Sequence, residues 1–311
     1  MSRKPVSHTS SRAVGEHGSF RLGCHLSIAR GFAACVHEAD ALGNSALQIF
    51  THSPSMWRMR PLSDEEIVQY LEQRQRSKVS FVAVHTMYLI NLASPDERLR
   101  ERSIRAMIEE IRRAARLDAD VVVTHVGHAM GTSPESGVER AVEALRQVVD
   151  SREFAAAAPL QLALENTAGS GTAVGATFDE LASLLRGVDC PDRVGVCLDT
   201  CHATAAGYDL RTPTAVERTF DQLDQSVGLG RLLLIHLNDA VYPLGSRRDR
   251  HAHIGRGTLG EGGIAAVLGH PSVAEVPFIL ETPKTMDDGV DADPINLALV
   301  RRLHADATSR A

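Results

Sequence analysis

A short apolar run, Val194-Gly-Val-Cys-Leu198, stops abruptly at Asp199, and His202 follows three residues later. Its length and β-branching give the run the character of a buried strand. A buried parallel strand has no place for a carboxylate in its middle, but its carboxyl end is where polar chemistry collects. Asp199 and His202 offer oxygen and nitrogen donors of the kind that zinc-type ions take. Taken alone, they fit equally well a helix-capping aspartate with a histidine bonded to it. The same termination recurs at His25, His85, His125, Glu165, His236 and Glu281, as in Val-Ala-Val-His85, Leu-Ala-Leu-Glu165 and Leu-Leu-Ile-His236. Capping accounts for any one of these. It does not account for His, Asp or Glu at one strand end after another, and that recurrence points to shared metal ligation.

A second dense stretch is Gly245-Ser-Arg-Arg-Asp-Arg-His-Ala-His-Ile-Gly255. Asp249 and His251 stand two apart, so in an extended loop both side chains face the same way and can grip one ion. Arg247, Arg248 and Arg250 put positive charge beside them. That suits a phosphate ester, because guanidinium offers paired donors to phosphate oxygens; a solvated basic loop would carry the same charge. His253 and His128 are possible extra ligands, but a supporting or substrate-facing role is favoured for them. His8, His17, His37, His270 and His304 fall in tails or helical stretches and are expected to be ordinary surface residues.

These residues need elements to position them. Eight apolar runs occur, at Leu22–Leu26, Ala46–Phe50, Val79–Val84, Asp120–Thr124, Leu160–Leu164, Val194–Leu198, Leu232–Ile235 and Val276–Leu280. Segments of helical spacing lie between them, at Gly31–Leu42, Asp64–Arg76, Pro95–Leu117, Pro134–Phe154, Phe178–Arg186, Thr212–Val227, Gly262–Leu268 and Pro294–Leu303. Ser63 and Glu66 make a capping box, and Pro134 follows Ser133 at a first helical position. Strand and helix alternating eight times predict a closed (β/α)8 TIM barrel, whose strand ends converge on one rim. A doubly wound open sheet would carry a glycine-rich phosphate turn after its first strand, and Gly23 and Gly31 do not make one.

The chain has 311 residues, a length that one barrel commonly fills, with 43% hydrophobic and 23% charged residues. It has no run of eighteen apolar residues, so no membrane span is expected. Residues 1–20 are polar and lack the apolar core of a signal peptide, so they read as a disordered tail before one barrel domain at 21–311. A cytoplasmic location follows. The five cysteines, Cys24, Cys35, Cys190, Cys197 and Cys201, are odd in number and form no C-x-x-C, so reduced thiols are expected. Cys197 and Cys201 flank Asp199, but Cys197 sits within the apolar strand and reads as core. The formal charge of −6 does not exclude nucleic acid, since three divalent ions would bring the sum to zero in one place.

Several motifs together resemble endonuclease IV, the metal-dependent apurinic/apyrimidinic endonuclease family of DNA repair. They are His85-x-x-Tyr-Leu-Ile-Asn-Leu92, Leu164-Glu-Asn-Thr-Ala-Gly169, Val196-Cys-Leu-Asp-Thr-Cys-His-Ala203, His236-Leu-Asn-Asp-Ala240, and Gly245-Ser-Arg-x-Asp-Arg-His251 with Ile254-Gly255. The resemblance runs from Leu22 to the last helix. It implies a three-zinc site with nine protein ligands, manganese being an alternative in one position. His85 and His125 would hold one ion, and Glu165 would bridge it to a second completed by Asp199, His236 and Glu281. His202, Asp249 and His251 would hold the third. Glu165 and Glu281 are the expected catalytic carboxylates. The implied reaction is cleavage of duplex DNA 5′ to an abasic site, leaving a 3′-hydroxyl and a 5′-deoxyribose phosphate, with removal of blocked 3′ ends as a companion activity. The family is typically monomeric.

Departures from the family pattern fall outside the ligands. In Thr51-His-Ser-Pro-Ser-Met-Trp57, residues Ser53, Pro54, Ser55 and Met56 replace the Asn, Gln and Arg that often wedge into the DNA stack, while Trp57, Arg58 and Arg60 remain. Met56 could serve as an apolar wedge. Val241 stands where a basic residue is common, and Arg256 where Glu is usual. Tyr88 matches the family's site-lining tyrosine. Expected DNA contacts are Tyr88, Trp57, Arg58, Met56, Arg247 and Arg250. The competing reading is a sugar isomerase or epimerase on a related barrel, which would use a set resembling Glu165, Asp199, His236 and Glu281 but has no need of His85, His125, His202, Asp249 and His251. A catalytically silent DNA-binding barrel is a third reading, disfavoured by the complete ligand set.

Overall fold

The computed structural model describes residues 20–309. The expected tail therefore lies outside the described residues, apart from Phe20. Eight parallel strands close into a barrel: β1 (Leu22–His25), β2 (Ala46–Ile49), β3 (Phe81–His85), β4 (Val121–Thr124), β5 (Gln161–Glu165), β6 (Val194–Asp199), β7 (Leu232–His236) and, last in the chain, β10 (Phe278–Leu280). Each pairs with its sequence neighbours and β10 closes onto β1, with Leu22 opposite Phe278. Two short antiparallel strands, β8 (Asp239–Ala240) and β9 (His251–Ala252), stand outside the barrel.

The helices are α1 (Phe32–Ala41), α2 (Asp64–Arg76), α3 (Glu97–Arg116), α4 (Pro134–Val149), α5 (Arg152–Ala156), α6 (Phe178–Val188), α7 (Thr200–Ala206), α8 (Pro213–Ser226), α9 (Gly260–Leu268) and α10 (Asp293–Thr308). The capping box forms on α2: the Ser63 hydroxyl accepts from the Glu66 amide and the Glu66 carboxylate accepts from the Ser63 amide, each at 3.2 Å. The single helix expected over Pro134–Phe154 is instead two. The Ser151 hydroxyl takes the Phe154 amide at 3.1 Å and starts a new helix, which a serine does readily because its oxygen competes for backbone donors. The short helix α7 was not anticipated as an element of its own.

Alternation along each strand separates two apolar layers. Inside the barrel lie Ala46, Phe81, Ala83, Val121, Val123, Ala163, Cys197, Leu234 and Ile279. Their neighbours Val82, Val84, Val122, Leu162, Leu164, Val196, Leu198, Ile235 and Leu280 face outward and bury against the helices. Each large aliphatic side chain so buried stabilises the fold by about 1.5–3 kcal/mol. Gly23 is required where β1 meets β2, since a Cβ there would lie 1.6 Å from the Ala46 carbonyl oxygen. His270 and His304 are not plain surface residues. His270 stacks on Phe220 with centroids 4.5 Å apart, and His304 lies parallel to Phe20 at 3.7 Å. Both pack half-buried because imidazole offers an apolar face; His37 is exposed as expected, and His8 and His17 lie outside the described residues.

Candidate metal centre

The polar residues at the strand ends sit two positions beyond the inner apolar layer, so they also point inward. His85 follows Ala83, His125 follows Val123, Glu165 follows Ala163, Asp199 follows Cys197, His236 follows Leu234 and Glu281 follows Ile279. Parallel register sets Asp199 directly beside His236. A barrel rim thereby becomes a ring of nitrogen and oxygen donors above a dry core.

Among the described residues, three thiol-free groups of donor atoms form, each with its atoms within 4.8 Å of one another: His85, His125 and Glu165; Glu165, Asp199, His236 and Glu281; and His202, Asp249 and His251. Glu165 lies at their centre. Its Oε2 faces His85 Nε2 at 3.2 Å and His125 Nε2 at 3.4 Å, and its Oε1 faces His236 Nδ1 at 3.1 Å and His202 Nδ1 at 3.3 Å. His202 Nε2 is 3.2 Å from Asp249 Oδ2. All nine expected ligands are thus brought together. Cys197 and Cys201 also lie close to some of these atoms. Burial pushes both thiols up, that of Cys197 to about 12, so the thiolate form is disfavoured.

The hydrogen bonds of the histidines test whether this cluster suits metal ions. His85 donates Nδ1–H to the Thr86 carbonyl at 2.7 Å, His202 to the Asn166 carbonyl at 3.0 Å and His251 to the Glu281 carbonyl at 2.9 Å. In the neutral imidazole this leaves each Nε2 with a lone pair. Those lone pairs face carboxylate oxygens; His251 Nε2 lies 3.5 Å from both Asp199 Oδ2 and Asp249 Oδ1 and has no hydrogen-bond partner. Lone pair facing lone pair repels unless a cation stands between. Backbone carbonyls that fix one nitrogen so that the other can ligate are the usual support of a metal-bound histidine. The donor set, imidazole nitrogens and carboxylate oxygens, is the one zinc takes.

The electrostatics agree. Glu165 and Asp199 are fully buried, and Glu281 is largely so. Burial alone would raise the Glu165 and Glu281 carboxyls, but the surrounding histidines hold both well below the ordinary carboxylate range. Burial alone would lower the histidines, yet Asp199, Asp249 and Glu165 hold His202 well above its usual value, and Cys197, then Glu281 and Glu165, do the same for His236. Burial prevails at His125, which falls to about 4. Four clustered carboxylates therefore demand positive charge, and in its absence the histidines supply it by taking protons.

The outer residues are held by a separate set of bonds. The antiparallel pairing of β8 with β9, Asp239 opposite Ala252 and Ala240 opposite His251, pins the Asp249–His251 loop to the end of β7. The buried Asp239 carboxylate takes the amides of Gly257, Leu259 and Gly260 at 2.8–3.2 Å and so shapes the turn into α9. Asp199 caps α7 by accepting the His202 amide at 2.7 Å through Oδ1, while its Oδ2 accepts from Asn238 and faces His251. The oxygen of Asp199 that caps α7 is thus not the one that faces His251, so capping leaves the second oxygen free for the donor cluster.

The matching protein-family model is a xylose isomerase-like TIM barrel, over residues 36–298. The chain is 43% identical to a probable endonuclease 4 of Trichlorobacter lovleyi, covering 91% of this chain and 99% of that one, and 41% identical to that of Halothermothrix orenii, over 89% and 98%. The crystal structure of endonuclease IV from Thermus thermophilus superposes with a TM-score of 0.77 at 39% identity, over 94% of this chain and all of that one. The chain belongs to the endonuclease IV family. It is a hydrolase of the nuclease class. A D-tagatose 3-epimerase-like protein shares the fold at 20% identity, TM-score 0.71.

Beside the donor cluster of this endonuclease IV family member opens a cleft of about 1090 Å³, lined among others by Met56, Arg58, Tyr88, Asp249 and Lys284. A smaller cavity of about 260 Å³ lies across Tyr88 and shares His85, His125, His202 and Asp249 with it. Tyr88 is 67% exposed and Met56 54%. Trp57 is half-buried against the core, with the Arg102 guanidinium 4.3 Å above its ring, and does not line either cavity. Arg247 and Arg250 are exposed on the loop after β7, outside the lining of both. His253 bonds Asn296 on α10 at 3.2 Å, and His128 is exposed at the smaller cavity. The sequence reading missed Gln48, Asn166 and Asn238, all buried beside the ligands. Gln48 had a signal, being the polar residue two positions after Ala46 on the inward face.

Proposed function

We propose that this chain is a metal-dependent DNA-repair endonuclease, one domain over residues 21–311, that hydrolyses the phosphodiester bond 5′ to abasic sites in duplex DNA. It leaves a 3′-hydroxyl and a 5′-deoxyribose phosphate, clears blocked 3′ ends, and works as a cytoplasmic monomer. The observation that carries this reading is the convergence of nine donors in three groups around Glu165, with histidine lone pairs aimed at carboxylates. His85 and His125 with Glu165 hold one zinc. Glu165, Asp199, His236 and Glu281 hold a second, and His202, Asp249 and His251 a third, one position admitting manganese. When bound, the ions supply Lewis acidity toward the phosphodiester and its attacking water.

The chain's own residues do the rest. Glu165 and Glu281 are the catalytic carboxylates, facing the reacting phosphate across the cluster. Tyr88, standing between the two cavities, contacts the extruded sugar, which leaves the stack more cheaply than a paired nucleotide would. Met56 presses on the exposed base step, and Arg58, Arg247 and Arg250 meet backbone phosphates, with Trp57 supporting the Met56–Arg58 segment from behind.

The test is a duplex with one abasic site. Cutting is expected on the 5′ side without added magnesium, and Asp249→Ala or His202→Ala should lower the rate by at least about 100-fold, as loss of groups at a metal site does. Metal content near one ion per chain, with turnover of a free ketose and intact DNA, would overturn the reading in favour of an isomerase.

A further inference from the structure

Gln48 projects from β2 into the middle of the donor ring and is fully buried. Its amide meets three residues. Nε2 donates to Glu281 Oε1 at 2.6 Å and to His25 Nδ1 at 3.0 Å, and Oε1 faces His236 Nε2 at 2.8 Å. The amide cannot be turned over, because its oxygen would then sit against the Glu281 carboxylate at the shortest of these distances. With the amide so fixed, His236 Nε2 must carry a proton in order to donate. In the neutral ring, Nδ1 is then the free nitrogen, and it faces Glu165 Oε1 at 3.1 Å and Glu281 Oε2 at 3.2 Å.

From this geometry we infer that Gln48 is the positioning residue of the inner metal position: it selects the nitrogen through which His236 ligates and holds Glu281 in place. His85, His202 and His251 have Nδ1 tied to backbone carbonyls and ligate through Nε2. His236 is reversed, and a side chain from the second strand does the tying. The inference rests on the zinc-binding reading above.

Two measurements test it. In zinc-loaded wild-type protein, long-range proton–nitrogen spectra of labelled histidine should show His236, identified by its loss in a His236→Gln variant, with its proton on Nε2. A proton on Nδ1 overturns the inference whatever the activity. Second, Gln48→Met keeps the volume and removes every polar contact. Dialysed against a chelator, it should release one ion about 10–100-fold faster than wild type, the range seen when a residue supporting a ligand is removed. The turnover number should fall by a similar factor with KM for abasic duplex nearly unchanged. Wild type that holds no zinc and leaves abasic DNA intact sinks the functional reading. Wild type that holds zinc and cuts abasic DNA, alongside a Gln48→Met protein with wild-type release kinetics, sinks the assignment of Gln48 alone.

Discussion

The loops that reach over the cleft are anchored by one buried carboxylate on the outer helix α3, and its removal has a calculable cost. Glu110 Oε2 accepts the Thr51 hydroxyl at 2.7 Å. Its Oε1 accepts His52 Nε2 at 2.9 Å and the amide of Met87, the residue before Tyr88, at 3.3 Å. One turn on, the buried Arg113 donates to Thr51 Oγ1, to the Thr51 carbonyl and to the Arg60 carbonyl at 2.6–2.8 Å. The segment that carries Met56 and Arg58 is thus tied at both ends to α3, as is the loop that carries Tyr88. Glu110→Gln preserves shape but makes the bonds neutral and turns an amide donor toward one of three donors. Each bond to a charged group falls from about 1.5–3 kcal/mol to about 0.5–1.5, so three bonds sum to a loss of roughly 3 kcal/mol. At about 2 °C per kcal/mol for a chain this large, the midpoint should drop by about 6 °C. Differential scanning calorimetry with excess zinc reads that shift, and KM for abasic duplex should rise as the loops loosen. A drop under about 2 °C with KM unchanged would refute the reasoning.

Two further outcomes follow from the fold. Bonding to Arg60 holds the Glu66 carboxyl down to about 2, so the pair stabilises the protein above the ordinary glutamate range near 4.3, and that contribution fades as the pH falls from there toward about 2. Because the pair is partly exposed, Glu66→Gln should cost no more than about 1 kcal/mol at pH 7, and urea titrations should show the gap from wild type narrowing between pH 5 and pH 3; a constant gap would rule the pair out as its source. Gly23→Ala would drive a methyl group into the Ala46 carbonyl at the β1–β2 seam, so it should cost more than the roughly 1–3 kcal/mol of ordinary overpacking, and a midpoint equal to wild type would show the seam to be looser than described.

Where the sequence was informative, a single physical constraint was at work. An apolar run that ends on His, Asp or Glu marks both the length of a strand and the inward direction of its last side chain, and so it revealed the barrel and the strand-borne ligands together. Asp249 and His251 were legible because two-residue spacing in an extended loop fixes their shared direction. Gln48 was overlooked because one glutamine in an apolar run looks incidental until its register beside His25 is known. Glu110 and Arg113 were hidden among the many charges of α3, which suggest a solvated helix. Yet Ile104, Met107, Ile111 and Ala114 define its buried stripe, and Glu110 stands three after Met107 and four before Ala114, on the same face. The split of the expected Pro134–Phe154 helix turned on the side-chain cap of one serine, which periodicity does not report.

Seven of the nine donors are held in two tiers, an inner set on the barrel strands and an outer set beyond them. Glu165, Asp199, His236 and Glu281 sit on or directly after strands whose ladder fixes their backbones. His202, Asp249 and His251 stand outside the barrel ladder, on α7, on a loop and on β9. Their order is borrowed from the inner tier: Asp199 caps the helix of His202, the Glu281 carbonyl fixes the His251 ring, and β8–β9 moors the loop. Asp249, half exposed at the cleft edge, is the outermost donor. Positive charge held there lies against the solvent side of the site, where a polyanionic backbone must pass, whereas charge held by the inner four lies deep in the barrel mouth. The outer donors thus extend the inner set toward solvent from a helix, a loop and the short strand β9, without altering a strand of the barrel.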